Sequence, residues 1–336
     1  MNDRIKNVFV PFLYLIGMYM LCSCEKDGKV FLSPGNHYKN LEDTTTTSII
    51  VSIPRLEFTA SKMNHGIIAY VSVSDQDGNV LTGFNEQNFN IRYFCKDDAD
   101  TLNVTSYSFL PDKDKRHRLA AGNTMDYSTS MSDNDIENME RAIRQFIRMK
   151  HEDDYMQIIK FSDHVEIVNA FSKDTLVLMN AIAKPFSRGW TAYFQAVYEG
   201  LEQADVFVKA NHSYFPAVIA FTDGHDNRSN VNLNQTITRA NNLQIPVYTV
   251  GFGSVNHGEM NRLADETGGR YFYTPTGQDI LSLYQTISTQ LNDIYGLTWT
   301  TYTLTCNELI IEVEVIYESS SGKHTAKASR SVNIMP

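Results

Sequence analysis

The sequence predicts an α/β doubly wound, Rossmann-like domain at residues 118–295, inserted in or flanked by a small β-sandwich built from 48–117 and 296–336. Between 118 and 295, strand-like apolar runs alternate with segments of helical periodicity, which is typical of a mainly parallel sheet covered on both faces. On either side the pattern alternates and is broken by turns, which is typical of antiparallel strands. Because the first β segment has only four or five strands and would leave an open edge, we expect the last segment to complete it.

Hydrophobic spacing and turn residues define the elements of the α/β domain. Ser132 and Asp133 can cap a helix in which apolar residues recur every three or four positions. The link 162–164 is too short for a parallel crossover, so the strands it joins should form an antiparallel hairpin. Gly268 and Gly269 end a later helix. The predicted order is strand 119–125, helix 136–147, strands 155–161 and 165–171, helices 176–183 and 193–204, strands 215–221 and 245–252, helix 260–267, strand 270–273 and helix 280–294.

The flanking segments show β-branched and aromatic runs separated by turn residues. The run Asp-Gln-Asp-Gly-Asn at 75–79 indicates a turn between two strands. The predicted flanking strands are 67–73, 80–81, 89–94, 102–109, 297–305, 309–317 and 324–334.

Composition and charge exclude several classes of protein. Hydrophobic residues make up 42% and charged residues 20% of the 336 residues, which is ordinary globular usage and not that of a disordered, collagen-like or multi-spanning membrane protein. The 29 Lys and Arg against 39 Asp and Glu give a net charge of -10. Nucleic acid and anionic membrane surfaces need a basic protein surface, so no nucleic-acid partner is expected.

The first residues resemble a bacterial lipoprotein signal peptide. Arg4 and Lys6 precede an apolar stretch at 8–21 that is shorter than the roughly 20 residues needed to span a bilayer. It ends in Leu-Cys-Ser-Cys, which resembles a lipobox with Cys24 as the residue that receives a diacylglyceryl and palmitate-type anchor. We therefore expect a signal peptide at 1–23, and a bacterial envelope protein attached by lipid to the outer membrane. An ordinary secretory signal or a short anchor helix is the alternative.

After cleavage, the polar residues 24–47 read as a tether, and Cys95 and Cys306 are the only unmodified cysteines left. In an exported protein these two thiols are compatible with one disulfide bridge or with two buried free cysteines. Whether the anchored protein faces the periplasm or the cell surface stays open.

Hydroxyl and carboxylate residues occur where predicted strands of the α/β domain end. Asp126, Ser128 and Ser130 follow the first strand, Thr191 precedes a helix, and Asp223 follows the buried strand 215–221. Doubly wound sheets bind ligands at the carboxyl ends of their strands. A set of neutral hydroxyls with two carboxylates suits Mg²⁺ or Mn²⁺ better than Ca²⁺, which prefers more carboxylates.

With these motifs, residues 118–295 resemble a von Willebrand factor type A (integrin I-like) domain with its metal-ion-dependent adhesion site. The resemblance implies that the two serines and the threonine contact the metal, that the aspartates often act through water, and that one coordination position is left for an acidic group of a partner. Thr129 and Trp190 stand where the family commonly has Gly. Tyr127 and Trp190 are either an aromatic rim for a protein partner or a cover for helix ends.

Two functions follow from these observations. The first is a surface-tethered binding or adhesion module that captures a carboxylate-bearing partner through a divalent metal. The second is an accessory or assembly subunit of a bacterial cell-envelope complex. No nucleophile–base pair is apparent, so no enzyme activity is expected. His225 and Asp226 are weaker ligand candidates, and Asp133-Asn134-Asp135 is interpreted as a helix cap.

Overall fold

The computed structural model describes the α/β region almost completely and most of the flanking β segments. The predicted signal peptide, Cys24 and the first part of the predicted tether lie outside the described residues. Within the described part of the chain, no helix is long and apolar enough to cross a membrane. The described residues are 43–60, 64–96, 101–110, 118–274, 286–287, 289–291, 293–302, 304 and 306–334, together with the backbone of 38–39.

Strands and helices follow one another in the predicted alternation between residues 118 and 274. The strands are β1 Tyr38–Lys39, β2 Ile49–Ala60, β3 Asn64–Asp75, β4 Val80–Leu81, β5 Phe89–Cys95, β6 Thr101–Asn103, β7 Ser108–Phe109, β8 Arg118–Asp126, β9 Tyr155–Phe161, β10 Val165–Ile167, β11 Tyr214–Thr222, β12 Val247–Phe252, β13 Tyr271–Thr274, β14 Tyr295–Tyr302, β15 Glu308–Ser319 and β16 Gly322–Asn333. The helices are α1 Asp133–Met149, α2 Thr175–Ala183, α3 Tyr193–Ala210, α4 Leu233–Leu243 and α5 His257–Glu266.

The α/β domain has a six-stranded sheet in the order β10-β9-β8-β11-β12-β13. All neighbouring strands are parallel except β10, which runs antiparallel to β9 as the three-residue link predicted. Alternate residues of β11 face two separate apolar clusters, one with α1 and α2 and the other with α3, α4 and α5. Helices therefore cover both faces, and the doubly wound α/β fold is confirmed.

Two predicted strands differ from the structure, and one helix was not predicted. The second hairpin strand is only three residues long, and Ser172 makes one further bridge to Met156. The single strand expected at 102–109 is wrong: β6 pairs with β5 in one sheet and β7 pairs with β14 in another. Helix α4 was not predicted, because few of its residues are apolar. Its amino terminus carries a capping box between Asn232 and Gln235.

Strands from both sides of the α/β domain pair with each other in two further sheets. One sheet has the order β1-β4-β3-β14-β7 with β2 also paired to β3, and the other has the order β16-β15-β5-β6. Apolar side chains of both sheets share a single cluster that includes Ile67, Ile91 and Val313. We call these two sheets the flanking β unit.

A disulfide joins Cys95 at the end of β5 to Cys306, just before β15, with the two Cα atoms 5.7 Å apart. The residues it connects are 211 positions apart in the chain. The whole α/β domain therefore lies within the covalent loop that this bridge closes.

The predicted tether is attached to the flanking β unit over part of its length. Tyr38–Lys39 pairs with β4, and the Asp43 carboxylate accepts hydrogen bonds from the amides of Thr45 and Thr46. The Thr47 amide donates to the Gln76 side chain at 3.0 Å. These local side-chain bonds satisfy the backbone of a polar segment, so the part at 43–47 is docked and not a free linker.

The flanking β unit packs against the amino-terminal edge of the parallel sheet. Gln244, just before β12, accepts a hydrogen bond from the Leu56 amide and donates one to the Ser331 carbonyl. Gly268, just before β13, lies against Ile53 and Arg330. The carboxyl ends of the parallel strands are at the opposite edge, where the predicted site residues lie.

Candidate metal centre

The predicted site residues meet at the carboxyl ends of two neighbouring parallel strands. Asp126 is the last residue of β8, and Asp223 directly follows Thr222, the last residue of β11. In the register of these strands Met125 lies opposite Phe221. The parallel pairing therefore brings two carboxylates, 97 positions apart in the sequence, to one place.

The loop after β8 is held by its own polar side chains. The Ser128 amide donates to Asp126 Oδ1 at 2.7 Å, and the hydroxyl oxygens of Ser128 and Ser130 lie 2.9 Å apart. Ser132 caps α1 by accepting from the Asp135 amide at 3.1 Å, so the cap expected at Ser132 is confirmed and Asp133-Asn134-Asp135 forms the first turn of this helix. The turn thus directs both serine hydroxyls to the same side as the Asp126 carboxylate.

Two further bonds tie the loop to β11. The Ser130 hydroxyl donates to Asp223 Oδ1 at 2.8 Å, and the Thr222 hydroxyl donates to Asp126 Oδ2 at 2.6 Å. Thr222 was not among the predicted site residues. Its position directly before Asp223, at a strand end, was the signal that could have found it.

Thr191 approaches the same place from the segment before α3. Its amide donates to the Asn227 side chain at 2.8 Å, which fixes its backbone. A methyl group added at Gly224 would lie 3.1 Å from Ser130 Oγ and 3.6 Å from Thr191 Oγ1. These two hydroxyls therefore border one small space that the glycine leaves open, and all five predicted ligands come together.

The two carboxylates are buried side by side. Asp126 is 0% exposed and Asp223 is 8% exposed. Burial raises the pKa of Asp126 from its ordinary 3.8 to about 6, although the bonds from Thr222 and Ser128 oppose this and the Asp223 charge adds to it. Burial also raises the pKa of Asp223, against the opposing effect of the Ser130 hydroxyl. Both carboxylates would be more stable as anions with a cation beside them.

The donor set fits a small, hard divalent cation. Three hydroxyls and two carboxylates supply only oxygen, and the space beside Gly224 lies among them. Among the described residues, no group of three or more His, Cys, Asp and Glu side chains is arranged to hold a metal, and the proposed site itself has only two such residues. The cluster of these five residues is therefore a candidate binding site for Mg²⁺ or Mn²⁺.

The two aromatic residues next to the site differ in their exposure to solvent. Tyr127 is buried and its hydroxyl donates at 2.8 Å to Glu140 Oε1, in the middle of α1, so it packs against that helix and is not part of a rim. Trp190 is 65% exposed. The Asp226 carboxylate accepts the Phe194 amide at 2.8 Å at the start of α3, which gives it a structural role. The neighbouring His225 is exposed.

Arg188 is a further residue that the sequence did not reveal. Its Nε donates to the Ser128 carbonyl at 3.1 Å, and its Nη1 lies 3.1 Å from Asp133 Oδ1. A third contact joins it to the Met131 carbonyl. Arg188 therefore clamps the loop of the two serines to the segment that carries Thr191.

The comparisons agree with this geometry. The sequence model of the von Willebrand factor type A domain matches residues 124–286. No curated protein sequence matches the chain.

Several solved structures are similar. They include a von Willebrand factor type A protein from Catenulispora acidiphila (9% identity, 85% of this chain and 73% of that chain covered, TM-score 0.48). Proximal thread matrix protein 1 from the mussel byssus, with zinc in its MIDAS motif, shows 15% identity over 52% of this chain and 48% of that chain, with a TM-score of 0.45. BatB from Bacteroides thetaiotaomicron shows 16% identity over 51% of this chain and 98% of that chain, with a TM-score of 0.44.

With the matched sequence, the two-sided α/β sheet and the strand-end residues together, residues 124–286 of this chain are a von Willebrand factor type A domain.

Proposed function

We propose that this protein binds Mg²⁺ or Mn²⁺ through Asp126, Ser128, Ser130, Thr191 and Asp223 and thereby captures a carboxylate-bearing partner, without enzymatic activity. The observation that carries the proposal is the convergence of these five oxygen-bearing side chains at one strand edge. When bound, the metal would supply a positively charged position that a partner's carboxylate can enter.

The residues of the chain have distinct parts in this proposal. Asp126 and Asp223 supply the negative charge that retains a cation, and the serine and threonine hydroxyls supply neutral donors. The two carboxylates formally balance the charge of a divalent cation. Because its other donors would be neutral hydroxyls and water, an anionic oxygen of a partner would bind such a cation more strongly than the water that it replaces. Thr222 and Arg188 position the ligands from outside the set.

The orientation of the domain supports presentation to a partner. The flanking β unit, with the docked residues 43–47, lies at the amino-terminal edge of the parallel sheet, and the five residues lie at the carboxyl-terminal edge. Residues 43–47 and the five site residues therefore lie at opposite edges of the parallel sheet.

Calorimetric titration of the wild type and of Asp223→Ala with Mg²⁺ and Mn²⁺ tests the metal site. We expect the wild type to take up one ion at millimolar concentration or below and the variant to take up none, because half of the anionic charge is gone. Zn²⁺ belongs in the series, since the mussel protein holds zinc in this motif. Uptake of neither Mg²⁺ nor Mn²⁺ by the wild type would remove the chemical basis of the proposal.

A capture experiment separates adhesion from the assembly of an envelope complex. Immobilised protein is exposed to envelope and host-surface extracts with and without EDTA. Adhesion through the metal predicts capture that EDTA and Asp223→Ala both abolish. Capture that survives both would instead favour an accessory subunit that uses another surface.

We further propose that Cys24 carries the lipid that attaches the protein to the outer membrane. A diacyl anchor binds strongly to lipid, so Cys24→Ala should release the protein from membranes while its fold is kept. Membrane fractionation after a salt wash measures this, with Cys22→Ala as the matched control that should stay attached. A Cys24→Ala protein that remains in the membrane fraction would contradict the lipobox interpretation.

A further inference from the structure

Trp190 is an exposed tryptophan directly beside a proposed metal ligand. The chain has two tryptophans, and Trp299 lies buried in the flanking β unit. Trp190 is 65% exposed, whereas Thr191, the next residue, is 3% exposed. The exposed indole therefore lies next to the entrance of the site, directly before the buried threonine.

The backbone on both sides of the indole is fixed to three different segments. The Gly189 carbonyl accepts the Thr129 amide at 2.9 Å, and the Thr191 amide donates to Asn227. The Ala192 amide donates to the Ser162 carbonyl at 2.7 Å. A side chain at Gly189 would meet the Asp163 carboxylate, whose Cγ would lie 2.7 Å from the added carbon. The backbone that carries Trp190 is therefore held in place by hydrogen bonds to three other segments.

Two charged side chains near Trp190 have partners. Arg188 is paired with Asp133, and His164 Nδ1 lies 2.9 Å from Asp163 Oδ1. Between residues 188 and 191 the loop therefore offers a ligand the flat apolar surface of the indole. Tryptophan is among the residues that dominate protein–protein binding energy when a partner covers it.

We propose that Trp190 selects the partner by packing against an aromatic or large apolar side chain next to the captured carboxylate. This inference rests on the proposed metal-dependent capture. It assigns the specificity of the site to the residue that stands where the family commonly has a small one. The partner motif is therefore an acidic residue with an aromatic or large apolar neighbour, presented on an exposed segment.

Three small ligands test the assignment on the complete folded protein: N-acetyl-aspartyl-phenylalaninamide, the corresponding glycinamide and the corresponding lysinamide. Ligand-observed NMR titrations with saturating Mg²⁺ give their dissociation constants, and EDTA gives the background. We expect the phenylalanine ligand to bind roughly threefold to tenfold more tightly than the glycine ligand, the range that an aromatic contact supplies. Trp190→Ala should abolish this preference, and Trp190→Phe should keep most of it.

Val206→Ala is the matched control, because Val206 is 66% exposed on α3, towards the end of that helix away from the site. This substitution should change neither the affinity for the phenylalanine ligand nor that for the glycine ligand. Calorimetry on each variant must show unchanged Mg²⁺ uptake, because Trp190 is not a metal ligand. Equal affinity for the glycine and phenylalanine ligands, a preference that survives Trp190→Ala, or tighter binding of the lysine ligand would each overturn the assignment. Mg²⁺ uptake without binding of any ligand would overturn the carboxylate capture with it, and absence of Mg²⁺ uptake would overturn the metal site itself.

Discussion

Asp126→Asn is expected to abolish Mg²⁺ uptake and, in EDTA at neutral pH, to raise the free energy of unfolding by about 2–3 kcal/mol. The reason is that Asp126 is fully buried and its pKa is raised to about 6, mainly by that burial. The folded protein must therefore hold a desolvated anion when no cation is present. An amide removes this charge and can still accept the Ser128 amide and face the Thr222 hydroxyl.

The pH dependence identifies the cause of the change. A carboxyl group whose pKa is higher in the folded state than its ordinary 3.8 destabilises the fold fully above about pH 6, and this penalty disappears as the pH falls towards about 4. The stability gained by the variant should therefore be large at neutral pH and close to zero near pH 4. Denaturant titrations of both proteins in EDTA at the two pH values measure it. A difference that does not change with pH would show that altered packing, and not charge, is responsible.

Asp154→Asn is the matched control for this experiment. Asp154 is also a buried carboxylate and accepts the Leu119 amide at 3.0 Å, but it lies at the amino-terminal edge of the same sheet. This substitution should leave Mg²⁺ uptake unchanged. The comparison separates loss of a buried carboxylate in general from loss of the one that faces the proposed cation.

The site was predictable because parallel strands have few arrangements. Once β8 and β11 were recognised as strands of a doubly wound sheet, Asp126 and Asp223 had to lie at the same edge. The strand expected at 155–161 matches β9, although Gln157 and Lys160 interrupt its apolar residues. The buried Asn123 is accommodated in β8 because its side chain donates to the carbonyls of Ala121 and Gln157.

What was missed depends on contacts between residues far apart in sequence. Nothing local shows that residues 102–109 divide between two sheets. The division is set by Leu102 pairing with Tyr93 and Phe109 pairing with Leu297. Likewise the sequence left Tyr127 as either a rim residue or a cover for helix ends, and only the hydrogen bond from its hydroxyl to Glu140 decides between them. Tertiary partners decide such positions, so local pattern alone cannot.

The junction between the α/β domain and the flanking β unit leads to the second large effect. Gly268 follows the end of α5 with a φ of 77°, and its amide donates to the Asp265 carbonyl. This is the left-handed position at which glycine commonly ends a helix. A β-carbon there would overlap the Ile53 carbonyl oxygen and Arg330 Nη1, which itself donates to that carbonyl. The position therefore excludes any side chain for two separate reasons.

Gly268→Ala should lower the free energy of unfolding by about 3 kcal/mol or more, the sum of left-handed strain and of overlap in a packed interface. Gly253→Ala is the matched control, because Gly253 has a φ of 67° but the nearest neighbour of an added methyl group, Asp223 Cβ, would be 3.7 Å away. It should lose only about 1 kcal/mol, the cost of the backbone conformation. Denaturant unfolding in EDTA compares the two variants without a contribution from bound metal.

The difference between the two losses measures how firmly the flanking β unit is held to the amino-terminal edge of the sheet. The Ile53 carbonyl belongs to the irregular part of β2, where the pairing register with β3 shifts between Ser52 and Arg55. If the junction is rigid, the overlap cannot be relieved and Gly268→Ala costs far more than Gly253→Ala. Equal losses would mean that the flanking β unit moves aside readily, and that this contact does not fix its orientation relative to the parallel sheet.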